Sequence, residues 1–126
     1  MKAHFIFYVS SQEKSTKFYE LVLDQKPTLN VPGMTEFKLN DGSVLGLMPA
    51  KGIKQLLGEK LPDPESAGEA PRAELYLVVD NPGAYHQRAL EAGATELSDL
   101  QKRDWGDEAA YSLDLDSHVI VFAKHC

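Results

Sequence analysis

The chain has 126 residues, 43% of them hydrophobic and 25% charged, the make-up of one ordinary globular domain with a core large enough to need no metal or disulfide staple. A formal net charge of -6 with no run of Lys or Arg excludes nucleic acid or an anionic membrane as the main partner and leaves small molecules. The one cysteine, Cys126, allows no intrachain disulfide, which points to a reducing cytoplasm.

His4 to Ser10 is aromatic and β-branched and reads as an opening strand. Its apolar run, Phe5 to Val9, is too short for a signal peptide or a spanning helix. Ser10 and Glu13 have capping-box spacing, so a helix should follow, with Phe18, Tyr19, Val22 and Leu23 as its apolar stripe and an end near Asp24. Leu29 to Val31 reads as a strand stopped by Pro32 and Gly33, and Glu36 to Met48 as a hairpin around Asn40, Asp41 and Gly42. This makes one β-α-β-β-β unit, over 3–49.

Residues 50–72 change character. Pro62, Pro64 and Pro71 stand among Gly, Ser and Glu, the composition of a linker, with a helical turn near Ile53 to Leu57. The same plan then resumes over 73–124. Glu74 to Asp80 is a strand, Asn81 and Pro82 open a helix whose stripe is Tyr85, Ala89 and Ala92, and Gly93 suits its C-terminal cap. A short strand near Thr95 to Leu97, a polar loop and a hairpin turning at Asp114 to His118 complete it. The fold class is therefore α+β, two tandem β-α-β-β-β units.

The two halves superpose. His4 to Val9 matches Glu74 to Val79 without a gap, and with one extra turn residue in the second hairpin Gly46 matches Val121. Strand alternation then places Phe5, Phe7 and Val9, like Leu75, Leu77 and Val79, on faces packed under the helices. His4, Ile6 and Tyr8, and Glu74, Tyr76 and Val78, take the opposite faces; curled sheets would make these line a cavity. Tyr8, Tyr76 and Tyr111 offer hydroxyls there, and Trp105 offers a ring to stack on a flat ligand. Arg103 and Lys102 read as solvated surface, and His86, His118 and His125 as a helix surface, a turn and a tail without partners. No Ser-His-Asp order, phosphate loop or paired Cys motif is present.

The opening HFIFYVS with its KFYELVL helix, the second opening ELYLVVDNP, and WGDEAAYSLDLDSHVIVFA resemble the vicinal oxygen chelate superfamily: glyoxalase I, bleomycin-resistance proteins, fosfomycin-resistance enzymes and extradiol dioxygenases. DLDSH stands where that family has an Asp-Pro-Asp-Gly hairpin. The resemblance carries the metal-ligand positions of metal-dependent members onto His4, Gly46, Glu74 and Val121, of which only His4 and Glu74 have donor atoms. A catalytic divalent ion needs about three protein ligands. The resemblance thus implies a bleomycin-resistance-like protein that holds a small molecule between its two sheets with no cofactor. The alternative is a divalent-metal-dependent lyase, isomerase or dioxygenase using His4, Glu74 and a further carboxylate such as Glu36. It also implies a homodimer.

Overall fold

The computed structural model describes all residues, Met1 to Cys126. The elements run β1 (Ala3–Val9), α1 (Gln12–Leu23), β2 (Leu29–Val31), β3 (Met34–Asn40), β4 (Ser43–Pro49), α2 (Ala50–Leu57), β5 (Glu74–Val78), α3 (Pro82–Glu91), β6 (Thr95–Lys102), β7 (Asp107–Leu113) and β8 (Val119–His125). They form two four-stranded mixed sheets, ordered β1-β4-β3-β2 and β5-β8-β7-β6. In each sheet the first strand of the unit runs parallel to the last, and the remaining pairings are antiparallel. The fold is α+β, two tandem β-α-β-β-β units. Contacts group Met1–Glu20 with Asp24–Gly68, and Leu21–Leu23 with Glu69–Cys126. No helix is long and apolar enough to cross a membrane.

The internal repeat survives in the strand register. Gly46 lies opposite Ile6 and Glu36 in the first sheet, and Val121 lies opposite Tyr76 and Tyr111 in the second. The rung Ile6-Gly46-Glu36 therefore corresponds to Tyr76-Val121-Tyr111.

In the first unit, α1 lies over the central strands. Tyr19 meets Phe37 at a ring separation of 6.4 Å, and the Thr16 and Thr35 hydroxyls share a 2.8 Å hydrogen bond. Phe37, Leu45 and Leu47 are fully buried beneath it. Val9 is buried as the alternation predicts, but Phe5 is 50% exposed. Phe5 stands near the start of β1, an edge strand of the sheet. The α1 cap also differs from the expectation by one residue. Ser11, not Ser10, is extended and accepts the Lys14 amide at 3.2 Å, which leaves Glu13 to pair with Lys17 one turn on. The helix ends where expected, with Asp24 in the left-handed region.

The Pro-rich stretch is more ordered than a linker composition suggests. Its first part is the two-turn helix α2, which buries Ala50 and Ile53, and 3-10 turns follow at Gly58–Lys60 and Pro64–Ser66. In the second unit Asn81 caps α3 through the Ala84 amide and Pro82 occupies its first turn. Gly93 follows the cap at φ +112°, a conformation that disfavours any side chain. Tyr85 packs on Phe122 at 5.2 Å and Ala89 is fully buried. β6 continues to Lys102 and absorbs most of the expected polar loop, with two register shifts along its pairing to β7.

Candidate functional site

The face of the second sheet turned away from α3 carries the most developed group of polar and aromatic side chains. Its floor is apolar: Ala109, Val121 and Ala123 are fully buried, with Tyr76, Tyr111 and Val119 packed against them. Strand parity explains the grouping, since Tyr76, Val121 and Tyr111 share one rung and Ala109 pairs with Ala123. The next rung towards the C-terminus pairs Asp107 with His125 on the same face.

Three hydrogen bonds link the rim of this floor. The Trp105 indole N–H donates to the Tyr76 hydroxyl at 3.1 Å, and that hydroxyl donates to Asp107 Oδ2 at 2.6 Å. Asp107 Oδ1 in turn bonds His125 Nδ1 at 3.1 Å. One polar edge of Trp105 is thus satisfied while the residue stays 54% exposed, leaving an aromatic surface open to solvent. Partial burial, and then the bond to the Asp107 anion, raise the Tyr76 phenol above its ordinary pKa. The hydrogen bonds from Tyr76 and His125 hold the Asp107 carboxyl below its ordinary value, so it is ionised at neutral pH. Partial burial and then the nearby Glu74 charge raise the Tyr111 phenol as well, against the lowering effect of Arg103.

Arg103 is not solvated surface as its setting in a polar loop suggests. Its guanidinium donates to Ala109 O at 2.8 Å and to Ser98 Oγ at 2.8 Å, and lies 5.2 Å from the centre of the Tyr111 ring. It fastens the loop before β7 and fixes Tyr111.

The expected residues therefore fall into groups. Tyr76, Trp105 and Tyr111 come together on one face of the second sheet. Tyr8 lies in the first unit, 40% exposed, on the β1 face that also carries His4 and Ile6. His4 Nδ1 stands 3.4 Å from Glu36 Oε2, a diagonal contact, since Glu36 shares its rung with Gly46 and Ile6, two residues along β1 from His4, whereas Glu74 on β5 is the charge that faces Tyr111.

At the four positions that the resemblance assigns to metal ligands the donor set is incomplete. Gly46 and Val121 have no ligating side-chain atom, and no three His, Cys, Asp or Glu side chains converge as a cage would require. The Gly46 position is also covered: a Cβ there would stand 3.1 Å from Ile6 Cγ1 and 3.2 Å from Met34 Sδ. An open groove of about 500 Å³ lies elsewhere on the first unit, lined by residues including Gln12, Glu13, Thr16, Lys17, Asn30 and Val31. Its polar groups are already engaged, since Gln12 bonds Val31 O, Thr35 Oγ1 and the Gly33 amide, and Glu13 pairs with Lys17.

Asp107 and His125 were not among the expected site residues, and the other histidines also have partners. His86 is buried, with its Nε2 2.8 Å from Glu96, and His118 Nδ1 lies 2.9 Å from Asp114 Oδ2. Asp114 organises the DLDSH turn by accepting the Asp116 and His118 amides. The signal for the missed pair was available: counting outward from that turn places Asp107 opposite His125, on the parity of Tyr111 and Val121.

The family model described as a glyoxalase-like domain matches residues 2–125. An uncharacterised protein of Mycobacterium bovis is 36% identical over 66 residues, which are 52% of this chain and 43% of that protein, so the match spans less than half of the relative. A glyoxalase-related enzyme from Fulvimarina pelagi superposes with a TM-score of 0.83 at 19% identity, covering 99% of this chain and 88% of the other. A glyoxalase/bleomycin resistance protein/dioxygenase family enzyme from Burkholderia phytofirmans PsJN does so with a TM-score of 0.81 at 16% identity, covering 98% and 97%. At these identities the structural likeness speaks for the fold.

Proposed function

The chain belongs to the glyoxalase-like domain family, and we propose that it binds a small, flat organic molecule without metal chemistry, in the manner of bleomycin-resistance proteins. The observation that carries this reading is a platform, the 54% exposed indole of Trp105, held by its N–H on Tyr76 beside the buried apolar cluster of Ala109, Val121 and Ala123. Such a surface offers dispersion and stacking to a planar ring, with polar groups confined to its rim. The lack of donors at Gly46 and Val121 supports a site that works without an ion. The expected homodimer belongs to the same proposal, and its test is the molar mass in solution.

The experiment is a calorimetric and fluorescence screen of planar aromatic compounds. Trp105 is the single tryptophan, so its emission reports on the platform alone. Binding that quenches this emission and falls about tenfold in Trp105→Ala supports the reading, since stacking on an aromatic side chain is worth about 1–3 kcal/mol. Binding untouched by Trp105→Ala places the ligand elsewhere.

One observation favours the second reading, a divalent-metal-dependent lyase, isomerase or dioxygenase: the 3.4 Å approach of His4 and Glu36 puts two donors within reach of one point. A stoichiometric ion in the purified protein, raising the melting temperature and lost in both His4→Ala and Glu36→Gln, would establish the ion site on which that reading depends.

A further inference from the structure

Resting on the platform reading above, we propose that His125 forms a hydrogen-bond-accepting subsite beside Trp105, selecting planar ligands that carry a ring N–H or O–H donor. The tautomer follows from the neighbours. An ionised carboxylate only accepts, so the 3.1 Å contact with Asp107 requires the proton of the neutral imidazole to sit on Nδ1. In that neutral form Nε2 holds the lone pair, and it makes no hydrogen bond within the chain. The His125 side chain is 80% exposed, whereas Asp107 is 17% exposed, so the orienting group is sheltered and the accepting group is open.

The ring is held in place by more than that bond. Gly106 separates Trp105 from Asp107, and a Cβ at Gly106 would lie 3.5 Å from His125 Cε1, so the imidazole rests against the backbone of the residue next to Trp105. Gly106 has φ +97°, a conformation that suits glycine, and its carbonyl accepts the Cys126 amide at 2.9 Å. The bond from Trp105 to Tyr76 completes a chain of three hydrogen bonds between indole and imidazole, which fixes the separation of the stacking surface from the acceptor. With its own N–H engaged, Trp105 contributes only its aromatic surface. Within this chain of bonded groups Nε2 is the one left to discriminate, and it favours a neutral donor over a carboxylate.

Calorimetry on the full chain with indole and 1-methylindole tests this, because the probes share a ring and differ in the donor. The wild-type protein should bind indole about five- to tenfold more tightly, the worth of one neutral hydrogen bond. His125→Phe and His125→Ala should each remove the preference by loosening indole, with 1-methylindole unchanged. Equal affinities in the wild type, or a preference that persists in both variants, would overturn the subsite and leave the platform standing. Failure of both probes to bind the wild type, or 1-methylindole binding that Trp105→Ala does not weaken, would overturn the platform and the subsite together.

Discussion

Tyr76 and Asp107 are joined by a 2.6 Å hydrogen bond that links the first strand of the second unit to its third. The carboxylate accepts from the phenol on one oxygen and from His125 on the other, so a single anion orders two strand ends and one loop. Much of what the chain is expected to do can be tested through that contact.

The phenol should titrate in a way that reveals the anion. Burial and the Asp107 bond raise the folded-state pKa of Tyr76, so its contribution to stability is fully present below the ordinary phenol value and is lost as pH rises through the folded one. In Asp107→Asn the phenolate absorbance assigned to Tyr76, by difference from Tyr76→Phe, should appear at lower pH than in the wild type. An unchanged titration would mean that the anion does not act on the phenol.

Tyr76→Phe removes the acceptor of the indole N–H and keeps the ring that covers the floor. Trp105, already 54% exposed, should gain mobility. Lower steady-state anisotropy and stronger acrylamide quenching are expected, with the melting temperature changed by only a few degrees. Identical anisotropy would show that the loop is held by its backbone and Arg103 alone.

A carboxylate at the vacant family position should not create a metal site. Gly46→Glu must displace Ile6 and Met34, which stand 3.1 and 3.2 Å from the new Cβ, at a cost of about 1–3 kcal/mol in a packed sheet. Urea unfolding should record that loss. Tight zinc or nickel binding by the variant would show instead that the sheet adapts and the inherited geometry persists.

Two buried hydroxyls should respond in opposite ways. Thr35 is fully buried and bonds Thr16, Gln12 and Asn30, so Thr35→Val leaves several polar groups without their partner and should cost about 2 kcal/mol. Ser112 is equally buried, but its Oγ has no partner, and Ser112→Ala should be neutral or stabilising by about 1 kcal/mol. Both values come from equilibrium unfolding.

The sequence by itself determined the duplicated plan, because it is written in local pattern. Alternation, the Asn81-Pro82 start, the Asp24 and Gly93 ends and the hairpin turns depend on residues close in the chain, and the structure places elements there. The correspondence of Ile6 with Tyr76 and of Gly46 with Val121 follows from the same counting, and the parallel pairing of first and last strands then sets each pair on one rung. What the tertiary structure decided were the partners of polar side chains. His86 reads as exposed until α3 turns it towards Glu96, and Arg103 reads as solvated until the loop folds back onto Ala109. Pairings of this kind join residues distant in sequence and depend on which side of a strand or helix is covered, whereas periodicity fixes only which residues share a side.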